Sequence, residues 1–277
     1  MMPAIVWPWR RPRVGFAFSD QWLVVASDGG PPAFSELPPG LLKPSPLAPN
    51  VQSVAELARL SCQLVEDLGG RAGAAVVALP DLAVTTALFA DGSKLKHREL
   101  RAAIAGRSAS PELEIRSDFW RGFRHEVLGA AVRNVVVRQY EQIVEATGAR
   151  LRWVDTCSLA RIPGWAEESK SKEAMVVHAQ LYRAHYSLAV FRSGELIDLR
   201  FKLRPPGTLD SVVREIGRLP GHYGAPVGSL RLSGEGASAC AERARETFDF
   251  GGISAEEEDE RGLILSSVRA LLRRLTG

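Results

Sequence analysis

The sequence contains few cysteines, and they form no recognisable motif. Three are present, far apart and without a CxxC pair: Cys62, Cys157 and Cys240. An odd, scattered set of thiols is typical of a protein from a reducing compartment and not of a secreted disulfide framework. The cysteines therefore predict core or surface thiols.

Common catalytic and metal-binding motifs are also missing. The sequence has no P-loop and no GxSxG elbow. Its five histidines show no HxxxH or HExxH spacing: His97, His125, His178, His185 and His222. We therefore predict no metal site, and we interpret His178 and His185 as satisfied strand histidines and not as ligands.

Long apolar runs and an excess of one charge are absent as well. No window approaches the roughly 20 apolar residues that a membrane-spanning helix needs. The net charge of +3 comes from three arginines in the first 13 residues, since 32 basic and 32 acidic side chains remain. Without clustered positive charge, nucleic-acid binding is not expected. The start of the chain lacks the apolar core of a signal peptide, so we predict a cytoplasmic protein.

Residues 1–12 form a basic, aromatic leader. Tryptophan beside arginine is the composition of a segment that rests on an anionic bilayer. We therefore predict membrane contact for Trp7, Trp9, Arg10 and Arg11. Three prolines in the same segment exclude a regular amphipathic helix. The alternative is a flexible leader, or a pad packed on the protein.

The first half of the chain predicts alternating strands and helices. Residues 13–26 alternate apolar and polar side chains and should form a hairpin that turns at 19–21. The proline-rich stretch 31–49 should be an irregular surface connection. A capping box opens a helix over 53–68. The pattern then predicts strands over 74–79, 83–89 and 151–154, helices over 97–105 and 133–147, and an extended segment over 112–132.

The second half repeats this order. Residues 174–202 are rich in β-branched side chains and break near Tyr182 and at Ser193-Gly194, as expected for two or three strands. A helix over 208–219 and a strand over 229–232 follow. A Gly-rich turn, a further helix and a final helix over 256–275 complete the chain. The acids that begin the final helix and the arginines that end it suit the helix dipole. The duplication predicts two α/β lobes that face each other across a cleft.

Short stretches along the chain carry a family resemblance. They are Glu36-Leu37-Pro38-Pro39-Gly40, Val76-Val77-Ala78-Leu79-Pro80, Ala83-Val84-Thr85-Thr86, residues 135–155 and Leu230-Arg231-Leu232-Ser233-Gly234. In order and spacing they resemble the PilM family, the actin-like component of the type IV pilus inner-membrane platform, related to the GspL cytoplasmic domain and to FtsA. The resemblance covers nearly the whole chain.

This resemblance implies an α/β, actin-like (ribonuclease H-like) fold. Its duplicated lobes would carry an inserted small strand-helix-strand-strand subdomain. The implied divisions are a leader over 1–12, a first lobe over 13–96, the insert over 97–155, and a second lobe with a C-terminal helix over 156–277.

Compared with the family, the chain has lost its phosphate loops. In place of an Asp-Ile-Gly loop, the first hairpin has Ala17-Phe18-Ser19-Asp20 and the second has Gln180-Leu181-Tyr182. Both carboxylates that would orient magnesium and water are absent, and Tyr182 would fill the space where backbone approaches a phosphate. The adenosine-side turn keeps the family's form: Ser233, Gly234, Glu235 and Gly236. We interpret it as a vestigial nucleotide loop, and expect no catalytic residue and no cofactor, with ATP binding left open.

By resemblance, the protein is expected to be a non-catalytic scaffold of a type IV pilus or type II secretion platform, peripheral to the inner membrane. Its partner would be the cytoplasmic tail of a PilN-like membrane protein, held in a groove beside the insert, together with other platform subunits. Aromatic residues among arginines are candidates for that groove, with core positions as the alternative: Phe119, Trp120, Phe123 and Tyr140.

Two other interpretations stay open. One is an actin-fold ATPase or small-molecule kinase that uses Asp20 and Glu235 as unconventional site residues. Asp20 falls at the hairpin tip, where bonding to its own backbone is the plainer account. The other is a GspL-like domain that precedes a transmembrane helix, against which the end of the chain at Gly277 argues.

Overall fold

The computed structural model describes residues 13–70, 73–89, 91–107, 114–121, 127–170, 173–205 and 208–274. Five strands in these ranges form the first lobe: β1 (Val14–Phe18), β2 (Trp22–Ser27), β3 (Ala33–Glu36), β4 (Ala74–Leu79) and β8 (Arg150–Thr156). They lie in the order β3-β2-β1-β4-β8, with β4 parallel to both β1 and β8. Helices α1 (Val54–Asp67) and α3 (Asn134–Ala146) cover one face of this sheet.

The second lobe has the same strand order as the first. Its strands are β9 (Met175–Leu181), β10 (His185–Arg192), β11 (Glu195–Leu203), β12 (Val227–Gly234) and β13 (Ile253–Glu256). They lie in the order β11-β10-β9-β12-β13. Helices α5 (Asp210–Tyr223) and α6 (Ala237–Thr247) pack on one face. The predicted duplication is confirmed.

Two further helices tie the lobes together. Helix α4 (Cys157–Ser169) follows β8 of the first lobe and packs under the second sheet, where Trp165 contacts the core around Phe191. Helix α7 (Glu260–Arg274) follows β13 of the second lobe and packs against the first sheet through Leu263 and Val268. Each lobe therefore supplies a helix to the other, and their apolar contacts hold the two sheets in one body.

The insert has the predicted strand-helix-strand-strand order, but its boundaries differ. It consists of β5 (Thr85–Phe89), α2 (His97–Arg107), β6 (Ile115–Arg121) and β7 (Val127–Arg133), with the strands in the order β5-β7-β6. The predicted insert, 97–155, is wrong at both ends because β5 pairs with β7, whereas α3 and β8 belong to the first lobe. The insert spans 85–133.

Three other elements differ from the predictions. Strand β3 lies inside the proline-rich stretch that was expected to be irregular, at a sheet edge where proline is tolerated. Strand β13 precedes the final helix, which begins at Glu260 and not at residue 256. Helix α4 has no counterpart in the predictions. In the part of the chain that the structure describes, no helix is both long and apolar enough to cross a bilayer.

Candidate functional site

The turn between β1 and β2 uses its own side chain to satisfy its backbone. The Ser19 hydroxyl accepts hydrogen bonds from the N–H groups of Gln21 and Trp22, at 3.3 and 3.0 Å. A phosphate loop instead presents free N–H groups to its ligand. Asp20 lies at the hairpin tip, and burial raises the pKa of its carboxyl. The turn therefore offers few donors to an anion.

The turn between β9 and β10 is closed by two stacked rings. Tyr182 and His185 lie nearly parallel with their ring centroids 4.2 Å apart, and Tyr182 is buried. The Tyr182 N–H donates to the His185 carbonyl at 3.0 Å, and Arg204 Nε donates to the Tyr182 carbonyl at 2.8 Å. The side chain of Tyr182 thus fills the space beneath the turn.

A small cavity remains between the two turns. It has a volume of about 50 Å³ and is lined by residues of both hairpins, α4 and α7. Sites for small organic ligands usually measure about 300 to 1,000 Å³. The cavity is large enough for a water molecule but far too small for a nucleotide.

A buried polar network joins the lobes beside this cavity. The Ser158 hydroxyl oxygen, in the first turn of α4, lies 2.5 Å from Asp81 Oδ2, just after β4. It also lies 2.9 Å from Gln180 Oε1 on β9 and 2.7 Å from Ser187 Oγ on β10. The Ser158 N–H donates to Asp81 Oδ1 at 2.9 Å. The network therefore connects the first lobe, the connecting helix and the second lobe.

Burial sets the charge of the titratable groups in this region. It raises the pKa of Asp81 to about 6. It also lowers the pKa of His185 to about 3, and the charge of Arg204 acts in the same direction. His185 Nε2 lies 4.0 Å from Asp81 Oδ2, too far for a hydrogen bond. His185 is therefore neutral at physiological pH and does not form an ion pair with Asp81.

The turn after β12 keeps its glycines, but the chain itself occupies its donors. The N–H groups of Gly236 and Ser238 donate to the two carboxylate oxygens of Glu257, at 2.7 and 3.0 Å. These hydrogen bonds, the one from Ser238 first, lower the pKa of Glu257. Arg204 Nη2 donates to the Glu235 carbonyl at 3.0 Å. Glu257 therefore stands at the N-terminus of α6, where the helix dipole favours an anionic ligand.

A buried acidic side chain, that of Glu260, lies between the two hairpin turns. Glu260, the first residue of α7, is 5% exposed and faces the Ser19 hydroxyl and the Arg183 backbone N–H. Neither of its carboxylate oxygens has a hydrogen bond of good geometry. Burial raises the pKa of Glu260, and the charges of Asp20 and Glu235 raise it further. Across the described ranges, no group of three His, Cys, Asp or Glu side chains is arranged to hold a metal ion.

An open groove lies between β8 and the insert. It has a volume of about 180 Å³ and is lined mainly by apolar side chains of β7, β8 and the end of β4. Trp120 of β6 forms part of its wall, with Arg116 and Asp118 of the same strand. Strand β8 is the edge of the first sheet, and Trp153 on it is 47% exposed. The groove therefore combines an apolar floor, charged groups and a free strand edge.

No family model and no curated protein matches this sequence. Solved structures do match. The PilM–PilN type IV pilus biogenesis complex superimposes with a TM-score of 0.70 at 16% identity, over 95% of this chain and 98% of that chain. A Bacteroides thetaiotaomicron protein with an actin-like ATPase fold and unknown function gives 0.65 at 9% identity, over 95% and 96%. The fold is actin-like.

A third matching structure is the cytoplasmic domain of EpsL, an inner-membrane component of the type II secretion system of Vibrio cholerae. It gives a TM-score of 0.50 at 11% identity, over 96% of this chain and 95% of that chain. The predicted fold class is thereby confirmed, and so is the resemblance to PilM at the level of the fold. At these identities the likeness extends to the fold alone.

The aromatic residues predicted for the groove lie in different places in the structure. Trp120 lines the groove between β8 and the insert. Phe119, its neighbour on β6, faces the opposite side of the sheet because alternate strand residues do, and its ring meets His97 edge-on at 5.2 Å. The assignment of Tyr140 to the surface is wrong. Its side chain is 0% exposed and packs edge-on against Phe18 at 4.9 Å in the first-lobe core.

The remaining candidates lie outside the described residues: Phe123, Trp7, Trp9, Arg10 and Arg11. The sequence also gave no indication of three residues that close the cleft, Arg204, Glu257 and Glu260, since their roles depend on contacts between distant elements. The exposure of Trp153 could have been predicted from the sequence. Its short strand also contains arginines and an aspartate, and such a polar strand is unusual for a buried aromatic residue.

Proposed function

We propose that the protein is a non-catalytic scaffold that binds a short cytoplasmic tail of a PilN-like membrane protein. It would act in the cytoplasm, beside the inner membrane, in the assembly platform of a type IV pilus or type II secretion system. The observation that carries this proposal is a contrast: the cleft between the lobes is closed, whereas the groove beside the insert is open. The similarity to PilM, solved together with PilN, supports the same choice.

The closed cleft supports the absence of nucleotide hydrolysis. Phosphoryl transfer depends on donors that position the phosphates and on groups that hold Mg²⁺. Here the backbone N–H groups of the β1–β2 turn donate to the Ser19 hydroxyl, and the Tyr182 side chain fills the β9–β10 turn. The N–H groups at the N-terminus of α6 donate to the Glu257 carboxylate. Each of the three places that would contact a nucleotide already has an intramolecular partner.

The open groove supports peptide docking. An extended peptide binds an exposed sheet edge through main-chain hydrogen bonds, and pockets for alternate side chains provide specificity. Strand β8 supplies such an edge, while Trp153 and Trp120 supply apolar area beside it. Tryptophans in such positions commonly contribute most of the binding energy at an interface.

Peptide binding tests the proposal. Fluorescein-labelled peptides that correspond to the cytoplasmic tails of PilN-like proteins from the same genome should bind this protein. We expect Trp153→Ala to weaken binding by about 10-fold to 100-fold, as for an aromatic hot spot. Fluorescence anisotropy would measure both affinities. Phe34→Ala is the matched control, since Phe34 is also an exposed aromatic of the first lobe but lies on β3, at the other sheet edge. Equal affinities for the two variants, or no binding by the wild type, would contradict the proposal.

A nucleotide-binding role is the second candidate, and Glu260 is the observation that favours it. Its buried carboxylate has no well-formed hydrogen bond and lies between the two hairpin turns, near Asp20. Such a group would be available for a cation or a water molecule if the lobes opened.

Isothermal titration with Mg-ATP separates the two candidates. We expect no heat of binding at millimolar nucleotide, because the cavity of about 50 Å³ cannot admit a phosphate chain. A micromolar dissociation constant would instead favour the ATPase or kinase alternative, whatever the outcome of the peptide experiment.

A further inference from the structure

We propose that residues 94–101, at the start of α2 in the insert, form a contact site for an anionic membrane surface. We call this segment the basic tip. It holds four basic residues and one leucine within eight positions: Lys94, Lys96, Arg98, Arg101 and Leu95. All five are exposed, and Leu95 keeps 42% of its surface accessible. This contact requires no peptide in the groove, so it can fail or hold independently of the proposed function.

The acids near the basic tip do not neutralise it. Asp91 lies 2.7 Å from Lys94 in an exposed ion pair, which salt screens readily. Glu99 accepts a hydrogen bond from the Lys96 N–H at 2.6 Å and so caps the helix. The other three basic side chains of the tip form no ion pair with any residue in the described ranges. The tip therefore carries a local positive charge, although the sequence beyond the leader is neutral as a whole.

The position of these charges is unfavourable for the helix itself. Lys94 and Lys96 precede α2, and Arg98 lies in its first turn, where the positive end of the helix dipole disfavours cations. Helix α7 has the opposite and favourable arrangement, since acids precede it. Clustered like charge at the wrong end of a helix weakens that helix end, which points to an external anionic partner that compensates for it.

Leu95 indicates which anionic partner fits. A nucleic acid or an acidic peptide would pair with the basic side chains but would leave an isolated leucine in water. A bilayer accepts both, because lysine and arginine reach the headgroups while the leucine enters the acyl boundary. The contact is therefore a peripheral one, reversible and weakened by salt.

Vesicle co-sedimentation tests this contact on the full chain. The probes are phosphatidylcholine vesicles with and without phosphatidylglycerol. We expect binding only to the anionic vesicles. Reversing three charges, Lys96→Glu with Arg98→Glu and Arg101→Glu, should lower binding by at least about 100-fold, because each basic group at such a surface contributes about 5-fold. Leu95→Ser should lower it by about 10-fold at constant charge.

The matched control reverses three exposed arginines on other helices: Arg59, Arg214 and Arg218. This control has the same net charge as the tip variant, so equal losses in the two would overturn the proposal in favour of a net-charge effect. Unchanged binding by Leu95→Ser would also overturn it, since the leucine would then contact no bilayer. A variant lacking residues 2–12 should still bind the anionic vesicles, because the basic tip is intact, and reversing the three tip charges in that variant should again lower binding by at least about 100-fold. Complete loss in that deletion would assign the membrane contact to the leader and not to the tip.

Discussion

Replacing Gly234 by alanine is expected to destabilise the protein by about 2 to 5 kcal/mol. Gly234 ends β12 with φ at +105°, and an added Cβ would lie 2.2 Å from the Leu181 carbonyl oxygen. A positive φ costs an alanine roughly 1 to 2 kcal/mol, and overpacking against fixed backbone adds roughly 1 to 3 kcal/mol or more. Leu181 cannot move away easily, because its carbonyl also accepts the Glu235 N–H at 2.9 Å. The substitution would therefore separate the Gly-rich turn from the second hairpin.

Gly69 provides a control with nearly the same backbone. Its φ is +103°, yet an added Cβ would meet nothing within 4 Å. Gly69→Ala should therefore show only the conformational cost, roughly 1 to 2 kcal/mol. Urea unfolding followed by circular dichroism would measure both losses. Similar values for the two variants would show that Gly234 is required for its φ alone and that the close approach to Leu181 is unimportant.

Local patterns predicted most of the fold. The hairpins, the helices that follow them and the duplication were readable, because the strands are β-branched and the helices carry apolar residues at helical spacing. Residues 256–260 misled the prediction, since an acidic run is typical of a helix start, whereas Glu256 ends β13 and the helix begins at Glu260. The insert boundary was misplaced because the partner of β5 is a strand about 40 residues later.

The candidate sites were less predictable than the fold. The replacement of the phosphate-loop glycine by Tyr182 could be read from the sequence, because a bulky residue at such a turn must occupy space. The position of Glu257 could not, since its partners at Gly236 and Ser238 come close only when β13 pairs with β12. Tyr140 was misassigned even though it shares the buried stripe of α3 with Val136 and Ile143.

Replacing Asp81 by asparagine is expected to alter how stability depends on pH. The pKa of Asp81 is about 6 in the folded protein, against about 3.9 for an unfolded aspartate. The folded state therefore holds this proton more tightly, and the stabilising contribution of Asp81 is complete only well below pH 4 and is lost as pH rises through about 6. As pH rises from about 4 to 6, the wild type should lose about 2 kcal/mol through this group. Asparagine does not titrate, so the variant should not share that loss.

The geometry around Ser158 explains why asparagine is tolerated. The Ser158 hydroxyl lies within 2.9 Å of three acceptor oxygens, those of Asp81, Gln180 and Ser187, but it has a single proton to donate. The asparagine Nδ2 would donate to the Ser158 hydroxyl from the position of Asp81 Oδ2, and its oxygen would still accept the Ser158 N–H. Ser187→Ala is the control, because it alters the same network without removing a titrating group. Urea unfolding from pH 4 to 7 should therefore show the stability of Asp81→Asn relative to wild type increasing by about 2 kcal/mol, and the effect of Ser187→Ala staying nearly constant. A constant difference for Asp81→Asn would mean that Asp81 is already ionised in the folded protein and that the network is held by a charge.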